Sequence, residues 1–165
     1  MRPLLIIVLL ALIIRLLCFN GLNWDDDPDY VYKTYQVETG EKFINLDNNG
    51  FRMGTYYPAA LTYALFGIND FGCGSYALVI SLLSIICIFY LGKLLFNEPT
   101  GLIAASLLAF YPLDVELASR LMPDGLLSGF SLFTIYFLYR GDVKNPFIIP
   151  VFFNFSLKKI IDKKK

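Results

Sequence analysis

Long apolar runs, and not an alternation of apolar and polar positions, dominate this chain. Pro3–Leu22, Gly72–Phe96, Gly101–Ala118 and Gly125–Tyr139 are apolar around the whole circumference of any helix drawn through them. A helix on a soluble surface keeps a polar face, and these do not. Each run is near the roughly 20 residues that carry a helix across a bilayer core. The last reaches that length once Leu121 onward is added. The pattern therefore predicts an all-α, polytopic transmembrane helix bundle of about four spans, near residues 3–22, 72–96, 101–118 and 121–140. A fifth apolar patch, Phe147–Leu157, contains Pro150 and Asn154 and runs into a basic tail over 158–165. It is too short to span.

The stretch between the first two spans, 23–57, is more than a connector. Asp27-Pro28 has the chemistry of a helix start, a capping carboxylate followed by proline in the first turn, and Gly40 that of a helix stop. Between them Tyr30, Val31, Thr34, Tyr35 and Val37 recur at helical spacing, which predicts a juxtamembrane helix over 28–39 with one face on the membrane or bundle. A second short apolar piece, Pro58–Phe66, returns the chain toward the membrane before Gly72.

Composition sharpens the membrane reading. Hydrophobic residues make up 56% of the chain and charged residues 17%, against about 25% charged in soluble domains. The formal net charge of +0 argues against a nucleic-acid partner. Histidine is absent, which excludes a His-ligated metal and leaves proton transfer near neutral pH to carboxylates, Lys, Tyr or Cys. No cofactor is indicated, and a divalent metal on carboxylates stays open. Cys18, Cys73 and Cys87 match neither a zinc spacing nor a disulfide framework and read as small hydrophobes.

Basic residues mark the cytoplasmic side. With four alternating spans, Arg2, Lys93, Arg140, Lys144 and the lysines of the tail gather on one side, while the acidic residues of 25–47, Asp70, Asp114, Glu116 and Asp124 gather on the other. This predicts a multi-pass cell-membrane protein with both termini cytoplasmic and the 23–57 loop outside. The sequon at Asn154 would face the cytoplasm. Arg2 before the first run suggests a secretion signal, but Arg15 interrupts its end and no small-x-small cleavage pattern follows, so the run is expected to be an uncleaved span. Arg15 is near that span's end, where a long side chain snorkels to water.

Two acidic clusters carry candidate chemistry. Asp25-Asp26-Asp27 follows the first span directly. It fits a solvated acidic end with Asp27 as helix cap. It also fits a carboxylate turned under the juxtamembrane helix, its pKa raised by partial burial toward that of a general base. The second cluster, Asp114, Glu116, Arg120 and Asp124, sits at the outer turn before the last span. Snorkelling or topology accounts for such residues; a fixed arginine among carboxylates also suits a phosphate-bearing substrate.

Trp24-Asp25-Asp26-Asp27-Pro28-Asp29-Tyr30 through Thr39-Gly40 resembles the first outer loop of polyprenyl-phosphate-sugar-dependent glycosyltransferases of the GT-C fold, relatives of protein O-mannosyltransferases and of the aminoarabinose transferase acting on lipid A. Tyr57-Pro58 with Leu65-Phe66-Gly67, then Gly101-Leu102-Ile103-Ala104-Ala105 with Tyr111-Pro112-Leu113, then Ser119-Arg120 with Pro123-Asp124 resemble later stretches of that family in the same order. The resemblance covers most of 3–140 and implies a partial GT-C-like fold. It also implies inverting sugar transfer from a polyprenyl-phosphate donor to an acceptor on the outer or lumenal side. Asp26 becomes the leading candidate to bind or deprotonate the acceptor, with Asp27 beside it. Arg120 is the candidate to pair with the phosphate, an assignment that rests on chemistry more than motif, and Asp124 is a looser second acidic position.

Family members have many further spans, so the chain is expected to be an N-terminal piece, a split half whose missing helices a second polypeptide supplies, or a relic. The expected partners are the lipid bilayer and a polyprenyl-phosphate sugar. The alternative function is a non-catalytic membrane fragment or assembly partner. A small transporter is disfavoured because no span shows a central acidic residue or paired broken helices.

Overall fold

The computed structural model describes residues 2–21, 27–41 and 53–140. Among them the chain is all-helical, with α1 (Arg2–Leu17), α2 (Asp27–Thr39), α3 (Met53–Phe66), α4 (Asp70–Leu95), α5 (Glu98–Ala109), α6 (Pro112–Leu117) and α7 (Pro123–Arg140).

Local chemistry sets the ends of these elements. Asn69 caps α4, its side-chain oxygen accepting from the Gly72 amide at 2.7 Å. Asn97 does the same for α5, accepting from the Thr100 amide at 2.9 Å. Such caps satisfy amides that the first helical turn leaves without partners. Beside the second cap, Lys93 and Glu98 pair at 2.8 Å, and that partner holds the exposed Glu98 carboxyl below its usual range. Pro28 stands in the first turn of α2, and Gly40 follows its last residue with φ +70°, a left-handed conformation that costs glycine little.

The apolar segment over 101–118 is not one helix. It divides at Phe110 and Tyr111 into α5 and α6. Pro112 has no amide to continue the α5 ladder and pushes the preceding residue out of helical geometry, and Tyr111 accordingly has φ −69° and ψ 116°.

α4 is the central helix and packs against α1, α3, α5 and α7. Toward its Asp70 end, Cys73, Tyr76, Ala77 and Ile80 join Tyr30 of α2, Tyr56, Ala59 and Tyr63 of α3, Leu121 and Leu126 in one buried cluster. Toward its Leu95 end, Ile85 and Phe89 join Leu4 and Ala11 of α1 and Ala105 and Ala109 of α5 in a second. The outward faces remain apolar: Leu5, Leu9 and Ile13 of α1, Val79 and Leu83 of α4, and Ile103 and Leu107 of α5 are exposed. Of the described helices one, α4, is long and apolar enough by itself to cross a bilayer; at 26 residues it is about 39 Å long.

Candidate functional site

At the Asp70 end of α4 the structure gathers α2, α3, the turn after α6 and the start of α7. α2 faces this assembly with Tyr30, Lys33 and Thr34, all buried. Lys33 is only 4% exposed, and its ammonium meets Asp29 one turn earlier at 2.5 Å. A buried ammonium requires such a partner. Lys33 lies three residues after Tyr30 and four before Val37, the helical spacing that turns it inward. Tyr63 of α3 lies in the same cluster. Burial foremost, then the neighbouring Cys73 and Asp70, pushes its phenol above the ordinary tyrosine range.

Arg120 lies in the turn between α6 and α7 and is 6% exposed. Its amide donates to the Leu117 carbonyl at 3.2 Å, and Nη1 pairs with Glu116 Oε1 at 3.5 Å. The turn rests directly on α4 where Gly74 has no side chain. A Cβ there would lie 2.6 Å from the Ser119 carbonyl oxygen and 2.9 Å from the Phe19 ring. Asp124 is in the first turn of α7 and exposed. Asp27 opens α2, but its side chain, like the whole of Asp26, lies outside the described residues. Arg120 and Asp124 thus share one short turn, while their relation to the aspartate run is outside the described structure.

The group that sequence reasoning missed is Arg15. Its side chain does not snorkel: it is 0% exposed and pairs with Asp114 Oδ2 at 2.5 Å, while Asp114 itself is 12% exposed. Arg15 Nε donates to Ser81 Oγ at 2.8 Å, and Nη1 donates to the carbonyls of Ala11 at 3.2 Å and Ala109 at 3.0 Å. Ser81 Oγ in turn donates to Asp114 Oδ2 at 2.6 Å. One guanidinium thereby joins α1, α4, α5 and α6 near the midpoint of α4. The division at Pro112 makes this possible, because it ends α5 at Ala109 and carries Asp114 to the level of Ser81. α1 carries in its last turn a basic residue whose acidic partner lies 99 positions away, so spacing along the chain gave no sign of the pair.

The family model described as dolichyl-phosphate-mannose-protein mannosyltransferase matches residues 53–149, more than half of the chain. The chain belongs to that family. It is a membrane protein of glycosyltransferase type, as the GT-C resemblance in the sequence implied. The match opens at α3 and runs past α7, so it includes Asp114, Arg120 and Asp124, while Arg15, Asp26 and Asp27 precede it. No curated protein and no solved structure matches the chain. An acidic residue at a broken helix is also a feature of transport sites. Here Arg15 and Ser81 already engage that carboxylate, and family membership favours group transfer.

Proposed function

We propose that this mannosyltransferase-family chain forms the part of a membrane glycosyltransferase that receives an acceptor and a polyprenyl-phosphate-linked sugar on the outer or lumenal face. Four spans, formed by α1, α4, the α5–α6 segment and α7, would put both termini in the cytoplasm, with α2 and α3 as juxtamembrane helices. The observation that carries the reading is the family match across the turn that holds Arg120, a nearly buried guanidinium between Glu116 and the start of α7. Dolichyl-phosphate mannose, the donor in the family's description, represents the donor class.

In this reading the acceptor hydroxyl attacks the anomeric carbon from the face opposite the phosphate. The new C–O bond forms as the bond from the anomeric carbon to the phosphate oxygen breaks, inverting the centre. The acceptor proton passes to the Asp26 carboxylate, and the polyprenyl phosphate leaves with the bonding electrons. Arg120 pairs with the phosphate as its charge grows. Asp27 opens α2 beside the base, and Asp124 adds an acidic group near the substrate.

The test is transfer from a polyprenyl-phosphate sugar by the protein in lipid nanodiscs, alone and with any chain that co-purifies. Asn substitutions at Asp25, Asp26 and Asp27 are compared at matched protein levels. General-base catalysis contributes about 10²–10⁴-fold, so Asp26→Asn is expected to lose activity on that scale, with smaller losses at the other two. Full activity of Asp26→Asn would remove the base. Absence of transfer from every preparation would favour a non-catalytic assembly partner.

A further inference from the structure

We infer that Arg15, Ser81 and Asp114 are positioning residues: a polar lock inside the bundle that fixes α6, and through it the turn that presents Arg120. The assignment to sugar transfer rests on the reading above; the lock itself rests on geometry.

α6 has six residues, and its N-cap makes no side-chain hydrogen bond. A helix of that length has no stability of its own in isolation, since nucleation outweighs the gain from so few turns. Something external must hold it. Asp114, in its first turn, is held by Arg15 at 2.5 Å and by Ser81 at 2.6 Å. Val115 is buried beside it. From that anchor the chain reaches Arg120 through hydrogen bonds of the Ser119 amide to the Glu116 carbonyl and the Arg120 amide to the Leu117 carbonyl, each 3.2 Å. A shift of Asp114 would therefore pass to Arg120 through less than two turns of hydrogen-bonded chain.

The choice of residues argues for placement over simple stabilisation. Ionisable groups at depth in a bundle are costly. Apolar residues of similar volume often replace a buried ion pair without loss of stability. What apolar packing does not supply is direction. The guanidinium makes bonds to Ser81, to the Ala11 and Ala109 carbonyls and to Asp114, and these bonds together leave α6 a single register against α4.

The experiment compares wild type, Asp114→Asn, Arg15→Lys and the double variant Arg15→Met/Asp114→Leu in nanodiscs. Amide hydrogen exchange is followed over 112–121 and over α4, and donor KM and kcat are measured for the active protein. The double variant is expected to unfold at nearly the wild-type midpoint and to keep α4 protected, while exchange over 112–121 rises at least tenfold. Because Arg120 pairs with the phosphate as its charge grows, kcat should fall about tenfold with little change in donor KM, and Arg15→Lys should recover part of the loss. Unchanged exchange over 112–121 in a folded double variant would overturn the lock. So would a double variant that folds no better than Asp114→Asn, because the pair would then be a requirement of folding and not of placement. If wild type shows no transfer, the sugar-transfer reading falls and exchange alone decides the lock.

Discussion

The Ser119 carbonyl lies against Gly74, where a Cβ would come within 2.6 Å of its oxygen. The half-buried Phe19 ring, 2.9 Å from the same Cβ, can swing aside, but the Ser119 carbonyl is backbone and moves only with its turn. Replacing Gly74 with Val should therefore push the turn bearing Arg120 off α4. Overpacking of this kind costs about 1–3 kcal/mol. The expected result is a lowered unfolding midpoint for Gly74→Val and a milder drop for Gly74→Ala, both read by denaturant unfolding in nanodiscs. Equal stability of all three proteins would mean that the turn is not seated there.

Asn69 is the cap of the central helix, accepting from the Gly72 amide and donating from Nδ2 to the Phe66 carbonyl at 2.9 Å. Asn69→Ala should destabilise by about 1 kcal/mol and Asn69→Asp by less, because a carboxylate also caps. Matched unfolding curves check this. A loss as large for Asp as for Ala would show that the Nδ2 bond to Phe66 carries the effect.

Tyr63 belongs to α3, outside the proposed spans, and its phenol is pushed above its ordinary range by burial first and by Cys73 next. The folded value lies above the unfolded value of about 10. Its contribution to stability is therefore whole below about pH 10 and is lost as pH rises beyond it toward the folded value. The 295 nm absorbance difference between wild type and Tyr63→Phe should show no ionisation step near pH 10 while the protein stays folded. A step there would contradict the burial.

The proposed topology puts the loop containing Asp47 outside and the tail containing Asp162 inside. In a background with Cys18, Cys73 and Cys87 replaced by Ser, a Cys at position 47 should react with an impermeant reagent added to intact cells, and one at position 162 should not. The reverse pattern would invert the bundle.

The all-helical class and the family were legible because both are written in short-range features. Unbroken apolar runs admit only helices in lipid, and the order of Tyr57-Pro58, Tyr111-Pro112 and Ser119-Arg120 survives without any knowledge of packing. Pro28 and Gly40 likewise act on the residues next to them, and the chain forms α2 between them. Pro112 was equally visible, yet its effect on an apolar segment depends on whether a partner donates to the freed carbonyl, as Arg15 Nη1 here does to that of Ala109. The pairing of Arg15 with Asp114 depends on the rotation and depth of four helices. No local pattern encodes that, and a basic residue near the end of a span has the same sequence context whether it reaches for water or for a carboxylate.

The separation of these two residues also orders the events of synthesis. Arg15 leaves the ribosome 99 residues before its carboxylate, which at about 5–20 residues per second is an interval of roughly 5–20 s. For that time α1 carries an uncompensated guanidinium. Until α6 has been made, it has the Ala11 carbonyl of its own helix, later Ser81 of α4, and water at the membrane edge to bond. The closing of the charge pair is then a late step of assembly, timed by a residue from the far part of the chain.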